Sequence, residues 1–116
     1  MFLQTYSIPV KEVMRKDMYF IDIDDNFEKA FNYLMKMSKK EVMVLDSKNL
    51  VGIFTINDIH KVVGKDLSTI LVEDIMVKDL LKVSHEETLA NTRVLMLENK
   101  IGRVPVFNKD QLVGII

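Results

Sequence analysis

The sequence predicts an α+β fold built from two copies of one β-α-β-β-α unit. The segment 10–14 (VKEVM) returns 62 residues later as 72–76 (VEDIM), and the same kinds of element follow each segment in the same order. In this register ten of the 45 positions in 10–54 and 72–116 are identical without a gap. Such a repeat is hard to ascribe to chance, so it indicates a duplicated unit.

Each element of the first copy follows from a local pattern. Residues 18–23 are rich in aromatic and β-branched side chains, which is typical of a short strand. Asp25 and Glu28 resemble a capping box, and helical spacing of apolar residues continues to about Met37. The other predicted elements are an antiparallel hairpin and a short helix, over residues 42–45, 50–54 and 56–63.

The second copy predicts the same elements, with its strands and helix at 80–83, 89–99, 104–107 and 112–116. A unit of about 55 residues has a marginal core, so the two copies are expected to pack together. The counterparts of Thr55 and Asp58 lie beyond Ile116, so the second repeat is expected to be incomplete. The predicted organisation is a lead-in, a first repeat, a linker and a second repeat, at residues 1–9, 10–64, 65–71 and 72–116.

Composition excludes several classes of function. The net charge of −1 provides no general attraction for nucleic acid. The absence of cysteine excludes disulfides and thiolate metal sites, and it fits a reducing cytoplasm. No apolar run approaches the roughly 18 residues of a membrane span, and the N-terminus lacks the pattern of a signal peptide. We therefore expect a cytoplasmic protein that contacts neither nucleic acid nor membrane directly.

The stretch GIFTINDI, residues 52–59, is the main candidate for a site. In one interpretation Thr55 caps the following helix and Asp58 is its partner three residues on. In the other, the helix N-terminus and the Thr55 hydroxyl suit a phosphate, and the Asp58 carboxylate suits the two hydroxyls of a ribose. The octapeptide by itself leaves both interpretations open.

No catalytic or metal-binding constellation is found. The two histidines, His60 and His85, lack the carboxylate cluster that a metal site needs, and both are expected to serve structural or solvated roles. The Gly64-Lys65 pair lacks the upstream glycine of a P-loop. We therefore expect a protein that is not an enzyme.

The duplicated pattern as a whole resembles the CBS domain. Its features are the repeated V-x-x-[VI]-M-x-K-D, the hairpin that ends in GIFTINDI, and IGRVPV at residues 101–106. The resemblance covers residues 10–116. It implies a Bateman module, in which two repeats of small mixed sheets flanked by helices pack with pseudo-twofold symmetry, and clefts between the repeats bind adenosine-containing ligands.

The resemblance also implies roles for individual residues. Asp58 would hold the ribose hydroxyls, and Thr55 would reach the ribose or a phosphate. The phosphates would be met by Arg103, whereas other nearby cations are expected to be solvated, namely Lys39, Lys40 and Lys100. Met43 stands where the family often has proline, which only Pro105 keeps. The residues expected to border the adenine are Phe20, Ile21, Glu41, Val42 and Met43.

The function implied is that of a regulatory module without a required cofactor. It would bind AMP, ADP, ATP or S-adenosylmethionine and control an attached or partner domain, for which a transcription regulator is the favoured candidate. A homodimer through the CBS pairs is expected, with at most one complete ligand site per chain. The alternative is a dimerisation module that binds no ligand, in which Thr55 and Asp58 serve only as caps.

Overall fold

The computed structural model describes residues 7–116, which form two compact units. The first unit comprises residues 18–80, and the second unit comprises residues 7–17 together with residues 81–116. Part of the expected lead-in, residues 1–6, lies outside the described residues. Each unit contains one three-stranded sheet, as the duplication predicts.

The first unit contains β1 (Phe20–Asp22), α1 (Phe27–Met35), β2 (Glu41–Asp46), β3 (Asn49–Thr55), 3₁₀ helices at Ile56–Val62 and Leu67–Thr69, and α2 (Val72–Ile75). β1 pairs in parallel with β2, and α1 provides the crossover that parallel strands require. β2 and β3 form the predicted antiparallel hairpin. Its two turn residues, Ser47 and Lys48, have positive φ angles of 51° and 70°, which allow a two-residue turn to follow the strand twist.

The core of the first unit forms between α1 and the sheet. Phe27, Ala30 and Leu34 lie on one apolar face of α1 and are buried. The ring of Phe27 packs edge-on against Phe54 of β3, with centroids 5.6 Å apart, which is a geometry that aromatic pairs prefer. The spacing of apolar residues in the sequence therefore identified the buried face, although α1 ends two residues before the predicted Met37.

The start of α1 differs from the prediction. Asn26 is the N-cap, and its Oδ1 accepts a hydrogen bond from the backbone N of Glu28 at 2.8 Å. Asp25 accepts a hydrogen bond from the backbone N of Asp22 at 2.7 Å and pairs with Lys29 at 3.2 Å. The capping box expected from Asp25 and Glu28 is wrong, because Asp and Asn are comparable caps and the sequence places them side by side.

The second unit contains a 3₁₀ helix (Val10–Glu12), β4 (Val83–Ser84), α3 (Leu89–Asn99), β5 (Pro105–Asn108) and β6 (Gln111–Ile115). Its sheet repeats the first one, with β4 parallel to β5 and β5 antiparallel to β6. The bounds of α3 agree with the prediction. Thr88 caps the helix through a hydrogen bond from the backbone N of Asn91 at 3.1 Å, and Lys100 ends it in the left-handed conformation.

A segment that we call the 72–77 strap closes the first unit. Val77 and Ile53 exchange two backbone hydrogen bonds, of 2.9 and 3.1 Å. Met76 packs against Gly52 so closely that a Cβ on this glycine would lie 2.7 Å from Cγ of Met76. Glycine at this position of β3 therefore leaves the space that the methionine fills.

The 10–15 strap closes the second unit in the same way. Arg15 and Ile115 exchange two backbone hydrogen bonds of 2.9 Å, and Met14 occupies the space beside Gly114. The predicted boundaries at 10–64 and 72–116 follow the sequence repeat, whereas the compact units exchange the opening segments of the two repeats. Sequence self-similarity reveals the repeat but does not show which sheet each strap joins.

Candidate functional site

The candidate site lies at the edge of the first sheet where β2 begins and β3 ends. Glu41, the first residue of β2, is the register partner of Thr55, the last residue of β3. On the other side of β2, Phe20 of β1 is the register partner of Met43. Among the residues that the sequence singled out for ligand contact, only Arg103 belongs to the second unit.

Asp58 is a buried carboxylate at this edge, with 6% of the residue exposed. The 3₁₀ helix Ile56–Val62 begins directly after β3, with Thr55 as its N-cap. Oδ2 of Asp58 accepts a hydrogen bond from the backbone N of Thr55 at 2.7 Å and lies 3.5 Å from Oγ1 of Thr55. The interpretation of the pair as a capping box is therefore confirmed.

Lys61 also lies at this edge, although it was not among the site residues predicted from the sequence. Its Nζ lies 3.0 Å from Oδ1 of Asp58 and donates a hydrogen bond to the carbonyl oxygen of Ile75 at 3.3 Å. The spacing of three residues between Asp58 and Lys61 was the available signal, because side chains three apart on a helical turn are neighbours. Both carboxylate oxygens of Asp58 are thus engaged by this unit's own groups.

Several residues predicted to border an adenine belong to the interior of the protein. The side chains of Ile21 and Val42 are part of the hydrophobic core, and Met43 is fully buried. The backbone N of Met43 donates to the carbonyl oxygen of Tyr19 at 2.8 Å. Phe20 is only partly buried, so it is the apolar side chain of this set that remains accessible.

Glu41 and Arg103 occupy equivalent positions of the two repeats, 62 residues apart, with opposite charges. Glu41 is 2% exposed and is the second buried carboxylate of the first unit. Arg103 is partly buried, and its Nη1 donates to the carbonyl oxygen of Gly102 at 2.8 Å. A contact of Arg103 with a phosphate stays a prediction.

The other cations that the sequence singled out, and His60, are exposed or engaged locally. Nζ of Lys39 lies 4.3 Å from the ring centroid of Tyr19, within the range of a cation–π interaction. Lys40, Lys100 and His60 are exposed. The solvated role expected for His60 agrees with this exposure.

The opposite edge of the first sheet carries an acidic cleft of about 480 Å³, lined by Ile23, Asp24, Asp25, Asn26, Asp46, Ser68, Ile70, Leu71, Val72 and Glu73. The hydrogen bond from the backbone N–H of Asp22 is the main cause that lowers the pKa of Asp25, and Lys29 adds to it. Hydrogen bonds within the unit therefore hold this carboxylate ionised. None of the residues predicted to bind a ligand lines this cleft.

Two small mixed sheets with flanking helices, repeated along one chain, define a tandem-repeat module of the α+β class. The chain belongs to the CBS domain family, whose model matches residues 10–65 and residues 72–116. The resemblance drawn from the duplicated motifs is therefore confirmed, and so is the fold class.

The relatives include enzymes and CBS proteins. A homoserine O-acetyltransferase from Methanosphaera stadtmanae is 30% identical over 90% of this chain, which spans about a fifth (21%) of that enzyme. An uncharacterised conserved protein from Pyrococcus horikoshii has a similar solved structure, with a TM-score of 0.83, 26% identity, and coverage of 96% of this chain and 86% of that one.

A third relative was solved with ligands. The CBS domain pair of protein MJ0100, in complex with 5′-methylthioadenosine and S-adenosyl-L-methionine, has a TM-score of 0.79 and 24% identity, with coverage of 93% of this chain and 87% of that one. At this identity the likeness shows the shared fold. Within residues 7–116, no helix is long and apolar enough to cross a membrane. The same residues contain no group of three or more His, Cys, Asp or Glu side chains that could hold a metal ion.

Proposed function

We propose that this chain is a regulatory module that senses an adenosine-containing ligand, with the Asp58 carboxylate binding the ribose hydroxyls. The observation that carries the proposal is the position of Asp58 at the end of β3, nearly buried and fixed by the backbone N of Thr55 at 2.7 Å. A carboxylate held in this way is preorganised, so little conformational entropy is lost when a ligand binds to it.

The chemistry of the ligand follows from the groups available. An ionised carboxylate only accepts hydrogen bonds and offers about four lone-pair positions, two of which suffice for a vicinal diol. The side chain of Thr55 is half-buried at the same edge, so its hydroxyl is placed to bond a ribose or phosphate oxygen. Phe20 offers an accessible aromatic ring for an adenine. The protein itself needs no cofactor for such binding.

The relatives support the same class of ligand. The CBS pair of protein MJ0100 was solved with 5′-methylthioadenosine and S-adenosyl-L-methionine, and both molecules contain an adenosine with its ribose diol. AMP, ADP and ATP share this diol. We propose the same ligand class for the present chain. The proposal includes the predicted adenine contacts, made through backbone groups, of Glu41, Val42, Met43 and Ile21. It also includes the predicted contact of Arg103 with phosphate.

The output of the sensor is proposed to be the control of an attached or partner domain rather than catalysis by this chain. The chain spans about a fifth of the homoserine O-acetyltransferase it resembles and the same share (21%) of an inosine-5′-monophosphate dehydrogenase from Korarchaeum cryptofilum. Similar segments therefore occur inside longer proteins. A transcription regulator as the controlled domain, a homodimer and a cytoplasmic location belong to the same proposal.

Two observations favour a second candidate, a dimerisation module that binds no ligand. Both oxygens of Asp58 are already engaged by Thr55 and Lys61, and α3 exposes Val94 and Leu97 at 50% and 79%. In this case the carboxylate would serve only the cap. The two candidates predict opposite results when a ligand is added.

The test is thermal melting with adenosine, AMP, ADP, ATP and S-adenosylmethionine. A ligand at 100 times its Kd adds about 2.7 kcal/mol to the free energy of unfolding, which raises the Tm of a domain of this size by several degrees. Asp58→Asn keeps an oxygen for the cap but removes the charge and one acceptor, so we expect the shift to be lost. Asp24→Asn, the same change at an exposed carboxylate of the same unit, is expected to retain it.

Equal shifts in wild type and Asp58→Asn would refute the ribose contact. No shift with any ligand, together with a stable dimer in light scattering, would favour the dimerisation module. A further comparison of adenosine with 2′-deoxyadenosine isolates the diol, since only the first offers both hydroxyls to Asp58.

A further inference from the structure

The ammonium of Lys61 lies between two acceptors that belong to different segments of the first unit. It is 3.0 Å from Oδ1 of Asp58 and 3.3 Å from the carbonyl oxygen of Ile75. The side chain of Lys61 is 51% exposed, whereas that of Asp58 is 8% exposed. The lysine therefore contacts a nearly buried carboxylate, and it also contacts the C-terminal end of α2.

We propose that Lys61 is a regulatory residue of the site, whose ammonium must leave Oδ1 of Asp58 when a ribose binds. This inference rests on the proposed function. Oδ2 is committed to the backbone N of Thr55, so a diol that donates two hydrogen bonds needs the acceptor positions of Oδ1. In the unliganded protein, Lys61 contacts Oδ1, so a ribose has to compete with it for these positions.

The competition adjusts the affinity and does not block binding. A half-exposed lysine on a flexible four-carbon stem regains hydration and rotamer freedom when it leaves the carboxylate. Ion pairs with an exposed partner contribute modestly, and salt weakens them. A ligand therefore displaces Lys61 at a small loss of affinity.

Displacement of Lys61 also affects the 72–77 strap. The carbonyl of Ile75 is at the C-terminal end of α2, and it accepts a hydrogen bond from Nζ of Lys61. Once the ammonium leaves Asp58, its contact with this carbonyl loses the partner that positioned it. Occupancy of Asp58 is thereby coupled to the 72–77 strap.

The first experiment measures adenosine binding by titration calorimetry in four proteins. Adenosine is used because it is neutral, so the loss of a lysine changes no long-range attraction. We expect Lys61→Met to bind adenosine about fivefold more tightly than wild type, the size of a typical exposed ion pair. Lys61→Arg, which keeps a cation, is expected to bind no more tightly than wild type, whereas Lys65→Met, the same charge loss at a nearby exposed lysine, is expected to bind as wild type does.

Salt provides a second measurement on the same proteins. Raising sodium chloride from about 0.05 to about 0.5 M screens the Lys61–Asp58 pair, so wild-type affinity for adenosine should approach that of Lys61→Met. The affinity of Lys61→Met itself should not change. In hydrogen exchange, adenosine should accelerate the exchange of the Met76 and Val77 amides in wild type, and Lys61→Met should show this faster exchange without ligand.

The outcomes separate this inference from the proposed function. Unchanged or weaker adenosine binding in Lys61→Met, with binding lost in Asp58→Asn, would overturn the role of Lys61 and leave the ribose site standing. Adenosine binding that survives Asp58→Asn would overturn both. Failure of both wild type and Lys61→Met to bind adenosine would overturn the role of Lys61, and if AMP, ADP, ATP and S-adenosylmethionine also left the Tm unchanged, the proposed function would be overturned as well.

Discussion

In both units the side chain of a methionine packs against a glycine of the last strand, but the two methionines differ in how far they lie from their glycine along the chain. Met76 packs on Gly52 from 24 positions away, whereas Met14 packs on Gly114 from 100 positions away. The hydrogen bonds that fix the two straps are otherwise alike. The first unit is therefore continuous in sequence, and the second unit is completed by the N-terminal part of the chain.

This difference bears on folding as well as on architecture. Closing a long loop costs more conformational entropy than closing a short one, and non-local contacts slow folding. The second unit has to recruit residues 10–15 before its core is complete, because Val10 is a fully buried member of that core. We expect the second unit to be the more sensitive of the two to changes in its strap.

The largest effect is expected from Val10→Asp. This change buries an unpaired carboxylate among the apolar side chains of the second core, which should lower the free energy of unfolding by more than about 3 kcal/mol. Hydrogen exchange resolved by residue should show that protection is lost at Val106 and Ile115 while it persists at Val44.

Val13→Asp is the matched control, since Val13 follows on the same segment and is 45% exposed. It should leave protection unchanged in both units. The reciprocal change, Val72→Asp, should remove protection at Val44 first. Equal loss in both units after Val10→Asp would contradict the assignment of the 10–15 strap to the second core.

A smaller and asymmetric effect is expected when the two glycines are replaced by alanine. A Cβ on Gly114 would lie 2.9 Å from the backbone oxygen of Arg15 as well as 2.7 Å from Cγ of Met14. The three atoms nearest to a Cβ on Gly52 all belong to the Met76 side chain, which is flexible and can repack. We therefore expect Gly114→Ala to cost about 2 kcal/mol and Gly52→Ala about 1 kcal/mol, measured by urea denaturation.

Second-site changes sharpen this comparison. Met76→Ala makes room for a Cβ at position 52, so it should offset most of the effect of Gly52→Ala. Met14→Ala should offset less of the effect of Gly114→Ala, because the carbonyl of Arg15 stays in place. Equal rescue in the two units would show that the backbone contact does not limit the packing at Gly114.

The sequence was sufficient to predict most of the elements and the Thr55–Asp58 cap for identifiable reasons. The repeat supplied two independent sequences for each strand and for the longer helix, and strong local signals such as the Thr88 cap set the bounds of α3. The pair Thr55 and Asp58 was predicted because its spacing is itself a local capping signal. The identity of the ligand has no such local signal, so it remains a proposal.

The features that the sequence did not predict depend on tertiary contacts. Exchange of the straps between repeats leaves no trace in the alignment of the repeats, since both straps and both receiving strands have equivalent residues. The contact of Lys61 with the carbonyl of Ile75 joins residues 14 positions apart. The burial of Ile21 and Val42 in the core reflects a sheet that is covered by α1, which a strand pattern alone does not reveal.

The smallest expected effect concerns acid stability at a pair of equivalent carboxylates, Asp25 and Glu87, at the starts of α1 and α3. The backbone N–H of Asp22 is the main cause that lowers the pKa of Asp25, and the side chain of Asn91 is the main cause that lowers the pKa of Glu87. A carboxyl group whose pKa is lowered in the folded protein contributes stability at pH values above its ordinary pKa, which is 3.8 for Asp25 and 4.5 for Glu87. This contribution is lost as the pH falls through the lower pKa of the folded state.

Because both carboxylates lie near the surface, each contribution should stay below about 1 kcal/mol. Asn91→Ala removes the main hydrogen bond to Glu87, so the pKa of Glu87 should rise toward its ordinary value while that of Asp25 stays low. NMR titration of the two side-chain carboxyl carbons measures both in one sample. A pKa of Glu87 that stays equally low in Asn91→Ala would mean that the backbone N–H of Thr88, 2.8 Å from Oε1 of Glu87, suffices by itself, and the two units would then hold their carboxylates by the same backbone device.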